Sequence, residues 1–282
     1  MGARHFMTLA ELRGLIGRAE APRIVDVRKT AAFDADQRMI AGAVRRRPDT
    51  VAAWCADLKP PHGAVVVYCA HGQEVSQGVA AALRDAGFDA RYLEGGIDGW
   101  REGGGPTMRK PAEVLGAISV QAAPDAPTCW VTRARPKIDR IACPWLLRRF
   151  VDPDSEIRFV APERVLAEAK ACGGVPFDVP DVAFSHDGPL CSFDAFLRRF
   201  GLDDPALDSL ALIVRAADTG RLDLAPQAAG LLAVSLGLSA LYADDGEMLA
   251  RGLLVYDALY AWCRDAADEI HGWPPAAWVS VM

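Results

Sequence analysis

Two kinds of apolar pattern alternate over the first hundred residues. "MTLAELRGLIGR" spaces its leucines at helical intervals, and Thr8 with Glu11 supplies a capping box that predicts where the helix starts. "RIVDVR" (23–28) and "AVVVYC" (64–69) are instead short β-branched runs, and the second has almost no polar alternation. Such a run predicts a parallel strand covered on both faces. "PDTVAAWCADL", with Asp49 near its N-cap, and "SQGVAAALRDAGF", stopped by Gly87, predict helices, and "ARYL" a last strand. Strands separated by helices predict an α/β domain over 1–105, a parallel sheet flanked by helices.

The pattern then changes. "LEGGIDGWREGGGP" is a glycine-dense closing turn, and Pro111, Pro124 and Pro127 break any periodicity after it, which places a linker at 106–127. Residues 128–282 read as a second, mostly α domain of α+β type. "CWVTR" and "EIRFV" predict strands, and "KIDRIACPWLLRRF", "CSFDAFLRRFGL", "LDSLALIVRAADTG" and "GEMLARGLLVYDALYAWCRDAADEI" predict helices. "AAGLLAVSLGLSALYA" (228–243) falls short of the roughly 20 residues that span a bilayer, so a buried helix or helix pair is expected and a membrane partner is not.

Composition narrows the function. With 282 residues, 51% of them hydrophobic, the chain can bury two ordinary cores. A net charge of −6 argues against nucleic acid as a partner, because such a surface needs a concentrated basic stripe, and Arg45, Arg46 and Arg47 are too short a run to supply one. Seven cysteines lie scattered without a CxxC pair, which suits a reducing compartment better than a disulfide framework. The N-terminal stretch lacks the continuous apolar core of a signal peptide, and the expectation is a cytoplasmic protein.

The sharpest chemical signal is "CAHGQEVS", in which Cys69, Gly72 and Ser76 are the decisive residues. Cys69 ends a strand just before a helix, where unpaired backbone amides favour a thiolate over a thiol. The loop residues Ala70, His71, Gly72, Gln73, Glu74 and Val75 can curl so that their amides face the sulfur, and Gly72 is free of the steric limits on such a curl. A buried structural cysteine is the competing reading.

"DVR" (26–28), "AGAV" (41–44), "VYCAHGQ" and "LEGGIDGW", in this order, resemble the rhodanese, or sulfurtransferase, domain over about residues 1–105. The resemblance implies that Cys69 takes a sulfane sulfur from a donor, holds it as a persulfide and passes it to a thiol acceptor, with no cofactor required. It also implies that Asp26 and Arg28 support the loop. One departure stands out: many rhodaneses carry an arginine where this chain has Glu74. An acid there is expected to raise the thiol's pKa and to weaken binding of anionic donors such as thiosulfate, while His71 could offset it. The related phosphatases close a longer loop with an arginine, and Val75 occupies that position here.

"WVTRARPKIDRIACPWLLRRFVDP", "SHDGPLCSFD", "RAADTGRLDLAPQAAGLLAVSLGLS" and "VYDALYAWCRD" are similar to the C-terminal domain of ChrB-type chromate-resistance proteins over about residues 128–272. This implies a role in the response to chromate or a related oxyanion. The DNA-binding half of those regulators is not present here, so repression is not implied. Within this half, His186, Asp139 and Asp218 are a candidate set for a divalent metal, and carboxylate-rich ligation favours manganese, iron or zinc over copper. No spacing motif marks such a site. The alternative is ordinary pairing, with Asp139 on Arg140 or Lys137, Asp218 on Arg215, and His186 capping a turn. Cys143 and the cluster Tyr256, Tyr260 and Trp262 are expected to pack rather than bind. The chain is thus expected to be either a sulfurtransferase linked to oxyanion stress or a non-catalytic sensor that binds chromate or a metal ion through its second half.

Overall fold

The computed structural model describes residues 4–58, 64–118, 120 and 127–269. The N-terminal half runs β1 (Phe6–Met7), α1 (Leu9–Leu15), β2 (Arg23–Asp26), α2 (Thr30–Asp34), β3 (Arg38–Ile40), β4 (Val44–Arg45), α3 (Val51–Trp54), β5 (Ala64–Tyr68), α4 (Glu74–Asp85), β6 (Asp89–Leu93) and α5 (Gly96–Glu102). Five of these strands form a sheet in the order β1-β6-β5-β2-β4, all parallel. β5 sits in the middle with Val65, Val66 and Val67 buried on alternating faces, which explains why its sequence shows no polar alternation. The capping box forms as expected: Thr8 accepts from the Glu11 amide at 3.3 Å and donates its own amide to the Glu11 carboxylate at 2.8 Å.

The expected linker needs correction over its first part. Residues 107–109 form β7 (Thr107–Arg109), which pairs antiparallel with β3, and α6 (Pro111–Gly116) follows with Val114 and Leu115 buried. A three-residue strand carries no readable periodicity, and Pro111 starts a helix rather than breaking one. Of the other two prolines expected to break periodicity, Pro127 lies outside any helix or strand and Pro124 lies outside the described residues, as does the end of the second half from 270 onward.

The C-terminal half runs β8 (Cys129–Arg133), α7 (Asp139–Leu146), β9 (Glu156–Val160), α8 (Val165–Cys172), β10 (Val175–Pro176), α9 (Ser192–Phe200), α10 (Pro205–Asp218), α11 (Ala228–Leu241) and α12 (Asp245–Ala261). A parallel three-stranded sheet, β10-β8-β9, packs against the helices through Trp130, whose indole meets the rings of Phe177, Phe184, Phe196 and Phe200. Tyr256 and Tyr260 are buried as expected of core aromatics, and so is Cys143. No helix among the described residues is long and apolar enough to cross a membrane.

The two halves share one core. Met7, Leu12, Ile40 and Trp100 belong to the same buried cluster as Trp145, Phe150 and Tyr260. Polar contacts reinforce the seam: the Gly42 amide donates to the Phe150 carbonyl at 2.7 Å, and Arg38 donates to the Gly201 carbonyl at 2.6 Å. Arg23 of β2 pairs with Asp154 at 2.7 Å.

Candidate functional site

Cys69 follows β5 directly and its side chain is buried, with the loop Ala70–Gln73 curling over it before α4 begins at Glu74. Glu74 and Val75, expected in the loop, are therefore the first two residues of the helix. The curl depends on two glycines. Gly72 has φ +68°, and a Cβ there would lie 2.5 Å from the Leu93 carbonyl oxygen. Gly96 has φ +59°, and a Cβ there would lie 2.4 Å from the carbonyl oxygens of both Cys69 and Ala70. Because neither residue has a side chain, the start of α5 reaches the loop: the amides of Ile97 and Asp98 donate to the carbonyls of Cys69 and Ala70 at 3.0 and 3.1 Å. "LEGGIDGW" is thus the brace of the cysteine loop.

The sulfur is 3.2 Å from the Ser76 hydroxyl. Burial pushes the Cys69 thiol up, but the Ser76 hydroxyl and backbone hydrogen bonds at Ser76, Gln73 and His71 together bring it below its ordinary value. This corrects the expectation that Glu74 would leave the thiol raised, since the amide-lined pocket decides the direction. Ser76, in the first turn of α4, is one of the residues expected to be decisive, and its contact with the sulfur supplies the role that spacing alone did not. Exposed His71 is held by Asp98, with Nδ1 2.8 Å from a carboxylate oxygen.

Asp26 and Arg28 lie under the loop. Arg28 donates from Nε and Nη2 to the Asp26 carboxylate at 2.5–3.0 Å, and Tyr68, the residue before Cys69, donates its hydroxyl to the same carboxylate at 2.8 Å. Both charged residues are buried. Burial works against the Arg28 charge, and the adjacent Asp26 carboxylate more than restores it.

The second constellation assembles at one end of the β10–β8 pair. Nε2 of His186 lies 3.3 Å from Asp139, 3.2 Å from Asp218 and 3.5 Å from Asp178. The structure thus brings together all three expected residues and adds Asp178, which follows β10. Ordinary pairing does not account for them: Arg140 goes to Asp178 at 3.2 Å, Arg215 goes to Asp194 at 2.6 Å, and His186 faces carboxylates rather than capping a turn. Asp178 turns one oxygen to the centre and gives the other to Arg133 and Arg140, while Ser192 donates to it at 3.0 Å. Asp139 is 2% exposed, and its Oδ2 meets His186 Nε2. The hydrogen bond with Asp139 pushes His186 up to about 9, whereas burial and then the Asp139 charge push Asp218 up to about 7.

These distances suit a cation. Two ligand atoms each about 2.1 Å from an ion lie about 3.0–3.4 Å apart in octahedral or tetrahedral arrangement. The His186–carboxylate separations of 3.2–3.5 Å are close to that range, and one ligand atom from each of Asp139, His186 and Asp218 falls within 4.8 Å of the others.

Comparison with known proteins follows the same division. The rhodanese-like domain family matches residues 8–103, so the cysteine-bearing half is a rhodanese-like domain. Residues 130–263 match the ChrB C-terminal domain, and the chain joins the one domain to the other. Protein ChrB of Cupriavidus metallidurans is 34% identical over 134 residues, 46% of this chain, which covers 39% of that protein's length. Among solved structures, a rhodanese-related protein of Thermoplasma volcanium is 26% identical, with a TM-score of 0.32, over 37% of this chain and 97% of its own. A rhodanese-like domain of Anabaena sp. is 27% identical, with a TM-score of 0.32, over 37% of this chain and 79% of its own.

Proposed function

We propose that the chain is a sulfurtransferase in which Cys69 forms a persulfide, serving the response to chromate or a related oxyanion stress. The observation that supports it best is the buried Cys69 sulfur, 3.2 Å from Ser76 and held below its ordinary pKa by that hydroxyl and the loop amides. The Cys69 thiolate attacks the sulfane sulfur of a donor, the S–S bond of the donor breaks, and the remainder leaves with the electron pair. The new persulfide then gives its outer sulfur to an acceptor thiolate, and Cys69 departs as thiolate. The loop amides face the charge at each stage. Glu74, exposed beside the loop, makes a thiol persulfide a better donor than thiosulfate.

The test is the intact mass of the full chain after incubation with thiosulfate or with a thiol persulfide, for the wild type and Cys69→Ser. Gain of one sulfur atom that requires Cys69 is the expected result. No gain from either donor overturns the reading in favour of a binding or sensory protein.

The C-terminal centre supports a second reading, a divalent-cation site made by Asp139, Asp178, His186 and Asp218. Three carboxylates gathered on one imidazole favour it, because like charges brought together are costly unless positive charge meets them. The three carboxylates that attract a cation repel chromate, so on this reading the half senses or uses a metal ion and does not hold the oxyanion at this point. Titration of the full chain with manganese and with zinc, followed by calorimetry, tests it: stoichiometric binding lost in His186→Ala is expected, and binding that persists in that variant overturns it.

A further inference from the structure

We propose that Cys129 and Cys172 form an oxidisable dithiol, which a low-molecular-weight disulfide closes into an intramolecular S–S bond. The two sulfurs are 2.7 Å apart although the residues are 43 positions apart in sequence, and a covalent S–S bond is about 2.05 Å. The pair belongs to neither site already described. Cys129 begins β8 and Cys172 ends α8, so the sulfurs meet where the strand enters the sheet and the helix leaves it. Gly174 is what lets them meet: a Cβ there would lie 2.7 Å from the Cys172 sulfur and 2.6 Å from the Cys129 carbonyl oxygen. Both cysteines are partly accessible, so a small reagent reaches them, unlike the buried Cys143 and Cys191.

The chemistry balances as a thiol–disulfide exchange. One protein thiolate attacks the small disulfide, forming a mixed disulfide and releasing one small thiol. The other protein thiolate then attacks the protein-bound sulfur of that mixed disulfide, closing the S–S bond and releasing the second small thiol. The two protein thiols are oxidised, one disulfide is reduced, and their two protons end on the released thiols. Burial, and then the hydrogen bond with Cys172, push the Cys129 thiol up to about 12, so the pair reacts slowly at neutral pH and faster as pH rises. Closure ties α8 to β8 beside β10, whose chain continues directly to Asp178, and so braces the strand pair on which the acidic centre is built. In a reducing compartment such bonds are transient and report redox state.

The test uses the full chain carrying Cys69→Ser, so that the loop thiol does not contribute, with glutathione disulfide as the probe. The expected result is a mass loss of two hydrogens, reversed by dithiothreitol, and a non-reduced digest in which the peptides bearing Cys129 and Cys172 are joined. Adding either Cys129→Ser or Cys172→Ser should abolish closure and leave a stable glutathionyl adduct on the remaining cysteine of the pair. A chain that keeps both thiols free, or whose new bond joins other cysteines, overturns the proposal. These outcomes are independent of whether Cys69 takes up sulfur.

Discussion

Asp26 in the first half and Asp139 in the second are both buried aspartates, 0% and 2% exposed, yet their surroundings differ in kind. Asp26 takes hydrogen bonds from Arg28 through its backbone amide and guanidinium and from the Tyr68 hydroxyl. Asp139 meets one imidazole, which two further carboxylates also face. A buried charge met only by donors of its own fold fits a structural part, while carboxylates gathered on one imidazole leave room for a cation. On the reading proposed above, Asp26 supports the Cys69 loop and Asp139 contributes to a cation site.

The largest test of this difference is Asp26→Ala, which takes from the buried Arg28 its bidentate partner, leaving Asp36 and the Arg38 carbonyl, and should lower stability by about 3 kcal/mol in denaturant unfolding. A loss under about 1 kcal/mol would place Asp26 among incidental ion pairs. Asp139→Asn should cost less stability in the metal-free chain, because His186 keeps Asp178 and Asp218 beside it, while manganese or zinc affinity falls by about tenfold or more. Equal destabilisation by both variants would erase the distinction.

Within the first half, Ser76→Ala removes a group that lowers the Cys69 thiol. The midpoint of the pH profile for alkylation of Cys69 should therefore move up; an unchanged midpoint would assign the shift to the amides alone. The smallest effect is expected for Glu74→Arg. Thiosulfate-dependent sulfur uptake should rise by roughly threefold to tenfold at low ionic strength and less in salt, since residue 74 is exposed. An inert loop would show no gain.

How much of each site was legible follows from how its residues are spaced. The Cys69 loop is contiguous, and its strand, glycine and helix all lie within "VVVYCAHGQEVSQGVAAAL", so local rules reach it. Its electrostatics were read less well: Glu74 was the visible charge, but the Ser76 hydroxyl and the amides outweigh it because they touch the sulfur. In the second half Asp139, His186 and Asp218 could be picked out only as residue types able to bind a metal. Asp178 gave no signal, since its place depends on β10 lying beside β8. The first part of the linker was misread because β7 is held by pairing with β3, about seventy residues earlier, and not by any pattern of its own.

The sequence by itself determined the parallel α/β half, the cysteine loop and its start at a helix, and the helical second half, because periodicity, capping and turn chemistry act over a few residues. Only the tertiary structure decided that the halves share one core, that Arg140 and Arg215 turn away from Asp139 and Asp218, and that Cys129 meets Cys172. Those outcomes depend on contacts between residues far apart in the chain, whose closeness is set by how sheets and helices pack and leaves no local trace.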